Sequence, residues 1–399
     1  MEPKIKTIEG GTITSPRGFQ AGAVRAGLKA SGELDLGILH SLAPCEAGGV
    51  FTTNRIQAAP VVLCRKHLAD HRAQALVVNS GVANACTGED GLARAGEMAA
   101  LTAGKLGLRA EDVLVASTGV IGPALPMDRI RPAIAQVALG TQGGGELARA
   151  MMTTDTFAKQ AAASTDWFTI GGVAKGAGMI HPGMATMLAF LTTDAPLDPG
   201  FLAAALKEAV DISFNMITVD GDTSTNDTVL LMANGMGGGG PIGEGSPRAR
   251  PFREALEQLC ICLAKAVVRD GEGATRLIEV IVEGGLTPGE TRLAARTIAG
   301  SPLVKSAIHG TDPNWGRIIA ALGRSGAAIE EQRLELHLGS LCLMRDGRPQ
   351  PFPEEEARTI LSRDEVPIRV GLNLGPARAT AWGCDLSPEY VIINSAYTT

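Results

Sequence analysis

The stretch Ala174-Lys-Gly-Ala-Gly-Met-Ile-His-Pro-Gly-Met-Ala-Thr-Met-Leu188 is the most informative in the chain. Gly176, Gly178, Pro182 and Gly183 break any regular element, and Thr186-Met-Leu-Ala-Phe-Leu-Thr192 then reads as a buried strand. A loop thus delivers a threonine to a strand start, behind a small residue. A hydroxyl placed there can attack the preceding carbonyl in an N-to-O acyl shift. Water then resolves the ester and frees the α-amine of Thr186. That amine, with an ordinary pKa near 8, can act as base for its own hydroxyl. On local composition alone, an ordinary glycine-rich turn into a strand is the simpler reading.

Outward from this stretch, apolar runs alternate with amphipathic ones. Gln74–Asn79, Asp112–Ala116, Arg276–Val282 and Glu389–Ile393 read as strands. Gly91–Leu106 and Met127–Leu139 carry apolar residues at helical spacing. The clearest helix is Phe252–Arg269, with Phe252, Leu256, Leu259, Leu263 and Val267 on one stripe. Asn234–Pro247 reads as a surface loop or hairpin tip. The pattern predicts an α/β fold with sheets buried by helices, without setting parallel or antiparallel order.

Composition narrows the function. Lys and Arg number 36 against 42 Asp and Glu, a net charge of −6, so no basic excess exists to neutralise nucleic-acid phosphates. No run of about 18 apolar residues predicts a membrane span. The start Met1-Glu-Pro-Lys-Ile-Lys-Thr-Ile-Glu9 has no apolar region of a secretory signal. The seven cysteines are odd in number and form no CxxC pair, which suits reduced, packed thiols in a cytoplasmic protein.

Several blocks together resemble one family. Lys175–Leu188 is similar to the cleavage motif of the ornithine acetyltransferases, the self-cleaving glutamate N-acetyltransferases of arginine biosynthesis. Asn79-Ser-Gly-Val-Ala-Asn-Ala-Cys-Thr-Gly88, Ser117-Thr-Gly-Val-Ile-Gly122 and Met152-Thr-Thr-Asp-Thr156 resemble further blocks of that family. So do Thr218-Val-Asp-Gly-Asp-Thr-Ser-Thr-Asn-Asp227, Asp270-Gly-Glu-Gly-Ala-Thr275, Asp312-Pro-Asn-Trp-Gly-Arg317 and Ile393-Asn-Ser-Ala-Tyr-Thr-Thr399. They follow the family's order and span nearly the whole chain. Gly183 departs from the asparagine common there.

The resemblance implies a layered α/β sandwich of the type shared with self-processing aminopeptidases, its two interlocked halves sharing one active site. It implies a cut at Ala185–Thr186, giving an α chain of residues 1–185 and a β chain of 186–399, associated as a dimer of such pairs. Thr186 would be the nucleophile, with Thr118 and Gly119 as the oxyanion hole. Thr153, Lys175, Thr186, Glu272, Asn394 and Thr399 would bind substrate. The implied reaction moves an acetyl group from N2-acetyl-L-ornithine through Thr186 to L-glutamate, with no metal or organic cofactor. Some family members also accept acetyl-CoA, and the sequence leaves that donor open.

Each role has a physical warrant. Two preset donors at an oxyanion lower an acyl-transfer barrier by several kcal/mol. Lys175 can face a substrate carboxylate as a point charge. Glu272 can pair with the ornithine ammonium or act on an amine, and the sequence does not separate these. Asn394 and Thr399 sit on a polar tail, so a binding role predicts an ordered terminus. Other features carry less. Asp220-Gly-Asp-Thr-Ser224 starts like a calcium loop, but Thr225 and Leu231 stand where glycine and glutamate are needed. His181 reads as structural, His309 and Asp312 as parts of a loop anchored by Trp315, and Cys260-Ile-Cys262 as core rather than a metal pair.

Overall fold

A computed structural model describes residues 5–181 and 187–396. Among these, nine strands form one mixed sheet and seven form a second. The first runs in space Lys6–Thr7, Lys159–Ser164, Thr169–Lys175, Leu188–Thr193, Thr228–Ala233, Leu36–Phe51, Arg72–Asn79, Val113–Ser117, with Phe19–Val24 beside Leu36–Phe51. The second runs Arg348–Pro349, Leu341–Arg345, Glu335–Leu338, Glu365–Gly371, Leu277–Gly285, Ala377–Cys384, Ile217–Thr218.

Side chains alternate across a strand, and here both faces are buried. Ala189, Leu191, Val229 and Leu231 join the larger core cluster, which also holds the Phe252–Val267 stripe. Leu188, Phe190, Leu230 and Met232 point the other way, into a cluster with Leu147, Ala148 and Met151. This explains why Leu188–Thr193 and Thr228–Ala233 read as continuous rather than alternating apolar runs. Helix Ala249–Arg269 packs on both sheets and forms the middle layer with Pro199–Ile212. Pro288–Ala299 covers the second sheet, and Gly144–Met151 the first. The expected α/β layered architecture holds.

Residues 176–187 link two antiparallel neighbours of the first sheet, in which Lys175 pairs directly with Leu188. Strands from both sides of the 185–186 position interleave. Leu188–Thr193 and Thr228–Ala233 lie between Thr169–Lys175 on one flank and Leu36–Phe51 on the other.

The expected elements recur as Arg72–Asn79, Gly88–Leu106, Val113–Ser117, Met127–Gln136, Leu188–Thr193, Ala249–Arg269 and Leu277–Gly285. One is corrected. Glu389–Ile393 is not a strand but part of the helix Pro388–Ala396. Pro388 suits a first helical turn, and Ser387 before it is fixed by a 2.6 Å bond from its hydroxyl to the Gly273 carbonyl. The β-branched run that suggested a strand leaves Val391 63% and Ile392 54% exposed, so no sheet face holds it. Asn394 therefore sits on a helix rather than a tail. Trp315 likewise opens a helix, Trp315–Gly323, instead of anchoring a loop. Cys260 is buried but Cys262 is exposed on the same helix, so the two thiols diverge. Cys86 is exposed as well, so the thiols are not all packed. No helix among the described residues is long and apolar enough to cross a membrane.

Candidate active site

Arg72–Asn79 and Val113–Ser117 run parallel and end side by side. The loops that leave them are laced together. Ser117 Oγ donates to Asn79 Oδ1 at 2.6 Å, and the Thr118 and Val120 N–H groups donate to the Asn79 and Gly81 carbonyls. Gly119 has φ +126°, and a Cβ there would lie 2.3 Å from the Gly81 carbonyl carbon, so only glycine fits this turn. No described residue accepts its N–H. Beside it, Thr118 is 2% exposed, and its Oγ1 is 3.1 Å from Lys175 Nζ. This is the pair of groups the sequence assigned to an oxyanion.

Lys175 ends the strand Thr169–Lys175 and is itself buried. Burial lowers its pKa, and Asp155, the strongest charge acting on it, opposes that shift. Asp155 belongs to a dry ion cluster. Lys159 Nζ lies 2.6 Å from Asp155 Oδ1 and 2.5 Å from Asp270 Oδ2, and none of the three side chains is more than 3% exposed. Burial pushes the Asp155 carboxyl up, but Lys175 and then Lys159 outweigh it, leaving a pKa of about 2. The same carboxylate accepts from the N–H groups of Gly176 at 2.7 Å and Thr153 at 3.0 Å. It thereby fixes both Thr153 and the start of the glycine-rich segment. Thr156 N–H donates to Asp270 at 2.9 Å, which joins the segment 152–156 to the loop holding Glu272.

Glu272 follows the helix Ala249–Arg269, and its N–H donates to the Ala177 carbonyl at 2.8 Å. Its carboxylate lies against Gly178, where a Cβ would be 2.5 Å from the Glu272 Cδ. Asn394 Nδ2 donates to Glu272 Oε2 at 2.8 Å. Thr118, Gly119, Thr153, Lys175, Glu272 and Asn394 all line one cavity of about 270 Å³. Six residues scattered over 277 positions of sequence thus converge. Ala185, Thr186 and Thr399 lie outside the described residues.

The block Thr218–Asp227 serves turns and hydrogen bonds around this cavity. Asp220 accepts from the N–H groups of Met179 and Ile180, at 2.5 and 2.9 Å. Asn226 Nδ2 donates to the carbonyls of Ala83 at 2.6 Å and Ser117 at 2.9 Å, tying this block to the Thr118 turn. Asp227 accepts from Met187 N–H at 3.0 Å, and its Oδ2 has no partner among the described residues. Complete burial pushes its pKa well above the ordinary carboxylate range. His181 Nδ1 sits 3.2 Å from Thr218 Oγ1, in keeping with a structural role. His309 Nδ1 is 2.7 Å from Asp385 rather than being directed to Asp312. Among the described residues no three His, Cys, Asp or Glu groups are placed to hold a metal.

The sequence reading missed Asp155, Lys159, Asp270, Asn226 and Asp227. The blocks Met152–Thr156, Asp270–Thr275 and Thr218–Asp227 were noted, but their carboxylates were given no partners. Asp155 and Lys159 stand four apart, a spacing that pairs charges on a helix, yet here Lys159 lies on a strand.

A family model, the ArgJ family, matches residues 20–399. The chain belongs to the ArgJ family. This is the ornithine acetyltransferase family that its sequence blocks resemble. Two similar ArgJ relatives bear the name arginine biosynthesis bifunctional protein ArgJ. The one from Dehalococcoides mccartyi is 51% identical and covers 100% of both chains. The one from Symbiobacterium thermophilum is 53% identical over 98% of this chain and 99% of its own. A crystallised ArgJ chain from Bacillus halodurans is 45% identical, with a TM-score of 0.51, over 52% of this chain and 97% of its own. ArgJ proteins are acetyltransferases of arginine biosynthesis, and this chain is an enzyme of that family.

Proposed function

We propose that the chain transfers the acetyl group of N2-acetyl-L-ornithine to L-glutamate through an acetyl-Thr186 intermediate, after cutting itself at Ala185–Thr186. The carrying observation is the shared cavity. Thr118, Gly119 and Lys175 come from one side of that bond, and Glu272 and Asn394 from the other. In the first half-reaction the Thr186 Oγ–carbon bond forms and the hydroxyl proton passes to the α-amine. The acetyl carbon–nitrogen bond then breaks, and the proton leaves on the amine of ornithine. The glutamate amine reverses the sequence. The free Gly119 N–H and the Thr118 hydroxyl hold the oxyanion in both halves. Glu272 pairs with the side-chain ammonium of acetylornithine, and Lys175 supplies positive charge at the cavity floor. No cofactor is needed, because threonine carries the acetyl group.

The names of the relatives support the activity, and the word bifunctional supports acetyl-CoA as a second donor. The Bacillus halodurans chain is matched over 97% of its length by about half of this chain, which is in keeping with a cut that divides the chain near its middle. We place the enzyme in the cytoplasm as a dimer of α–β pairs. Intact mass tests the reading, with Thr186→Ala beside the wild type. Two fragments split at Ala185–Thr186 are expected, and the variant stays whole and inactive. A whole wild-type chain with full acetyl transfer would overturn the free-amine mechanism. Parallel double-reciprocal lines are expected from the two half-reactions, and glutamate must speed ornithine release beyond hydrolysis. Glutamate acetylation with acetyl-CoA alone tests the second donor.

A further inference from the structure

We infer that a second pocket, lined by His181, Arg296, Thr297, Gly300 and Arg324, is a ligand site for a phosphoryl dianion, free or at the end of a larger molecule. The cavity measures about 240 Å³ and is separate in its lining from the acetyl-transfer cavity. Arg296 lies in the last turn of Pro288–Ala299, and Arg324 directly follows Trp315–Gly323. Neither guanidinium has an ion pair or hydrogen bond to a described residue. Several arginines elsewhere in the fold are paired, although Arg292, on the helix of Arg296, has no partner among the described residues. Arg94, Arg109, Arg131 and Arg253 each hold a carboxylate.

A half-buried guanidinium without a counter-charge is held at a cost to stability, which marks a candidate functional site. Burial lowers the pKa of Arg296, and Arg292 one turn earlier adds repulsion. His181 lies close enough for Arg296 to lower its pKa, after burial, with Asp222 opposing. The imidazole Nδ1 faces Thr218, so Nε2 is the ring nitrogen left for the pocket. The Thr297 hydroxyl donates to the Leu293 carbonyl, so the donors to a ligand are the two guanidiniums. Two fixed positive charges match a dianion, and guanidinium forks match phosphoryl oxygens two at a time. The site also touches the acetyl-transfer cavity through the backbone. Gly178 and Met179 line one pocket and His181 the other.

Isothermal titration at constant ionic strength tests the site, using the purified full protein. The probes are inorganic phosphate and adenosine 3′,5′-bisphosphate, with chloride as reference. Saturable phosphate binding is expected, weakened at least about tenfold by Arg296→Ala and by Arg324→Ala, and unchanged by Arg131→Ala. Tighter binding of the bisphosphate would identify a larger phosphorylated ligand, and equal binding a free phosphate. Arg324 is exposed, so its variants keep the fold if Arg296→Ala does not, and Arg324→Glu should abolish binding. No saturable binding, or binding equal in wild type and both Arg324 variants, overturns the inference.

Discussion

Replacing Lys159 by methionine keeps most of the side-chain volume and removes one charge. The ammonium it removes stands 2.6 Å from Asp155 and 2.5 Å from Asp270, in a pocket closed to water. Breaking a buried ion cluster by deleting one member costs about 3–5 kcal/mol, because the partner is left charged and dry. Lys175 still faces Asp155 in the variant, so the loss concentrates on Asp270 and falls near about 3 kcal/mol. pH supplies a second reading. The Asp155 pKa is depressed to about 2 from 3.8. Its contribution, about 2 kcal/mol, is complete above the unfolded value and is lost as pH falls through about 2. Urea unfolding of the purified proteins at pH 7 and at about pH 3 measures both effects. Amide exchange at Thr156, whose N–H donates to Asp270, should quicken in the variant. A midpoint shift below about 0.5 kcal/mol at pH 7, with Thr156 exchange unchanged, would refute the view that this cluster joins the two segments.

Gly119→Ala places a methyl 2.3 Å from the Gly81 carbonyl carbon and turns the N–H from the cavity; kcat for acetyl transfer should fall about 10²–10³-fold with a smaller change in KM, read by steady-state kinetics. Glu272→Gln keeps the shape and the bond from Asn394 but removes the charge. KM for acetylornithine should rise about tenfold or more, with kcat less affected, and KM for glutamate should not follow it. Asn226→Ala orphans the Ala83 and Ser117 carbonyls, and the urea midpoint should drop by about 1–3 kcal/mol.

The parts legible in sequence share a local signature. The Phe252–Val267 stripe, the run Gln74–Asn79 and the Ser117–Gly122 turn state their structure within a few residues. The site roles of Thr118, Lys175 and Glu272 came from whole blocks matched in order, since no spacing links position 118 to 272. What stayed hidden depends on long-range partners. Asp155 and Asp270 lie 115 positions apart, and only the fold shows that Lys159 sits between them. Asp227 looks like one more polar loop residue until its complete burial is seen. The terminal Tyr390-Val-Ile-Ile393 misled for the opposite reason. Its side-chain types favour a strand, but the sheet offers it no edge, and Pro388 starts a helix instead.

The interleaved first sheet makes a backbone cut within residues 182–186 a change without a scar. Lys175 and Leu188 remain opposite one another, held by their ladder, and Leu188–Thr193 stays gripped on both flanks. Pulling the pieces apart would open two ladders inside one sheet and bare four strand edges that neither piece can cover alone. Separation is therefore equivalent to unfolding. The corollary concerns manufacture rather than chemistry: halves made as two polypeptides would each present raw edges to any neighbour and aggregate, so the working molecule has to be born as one chain.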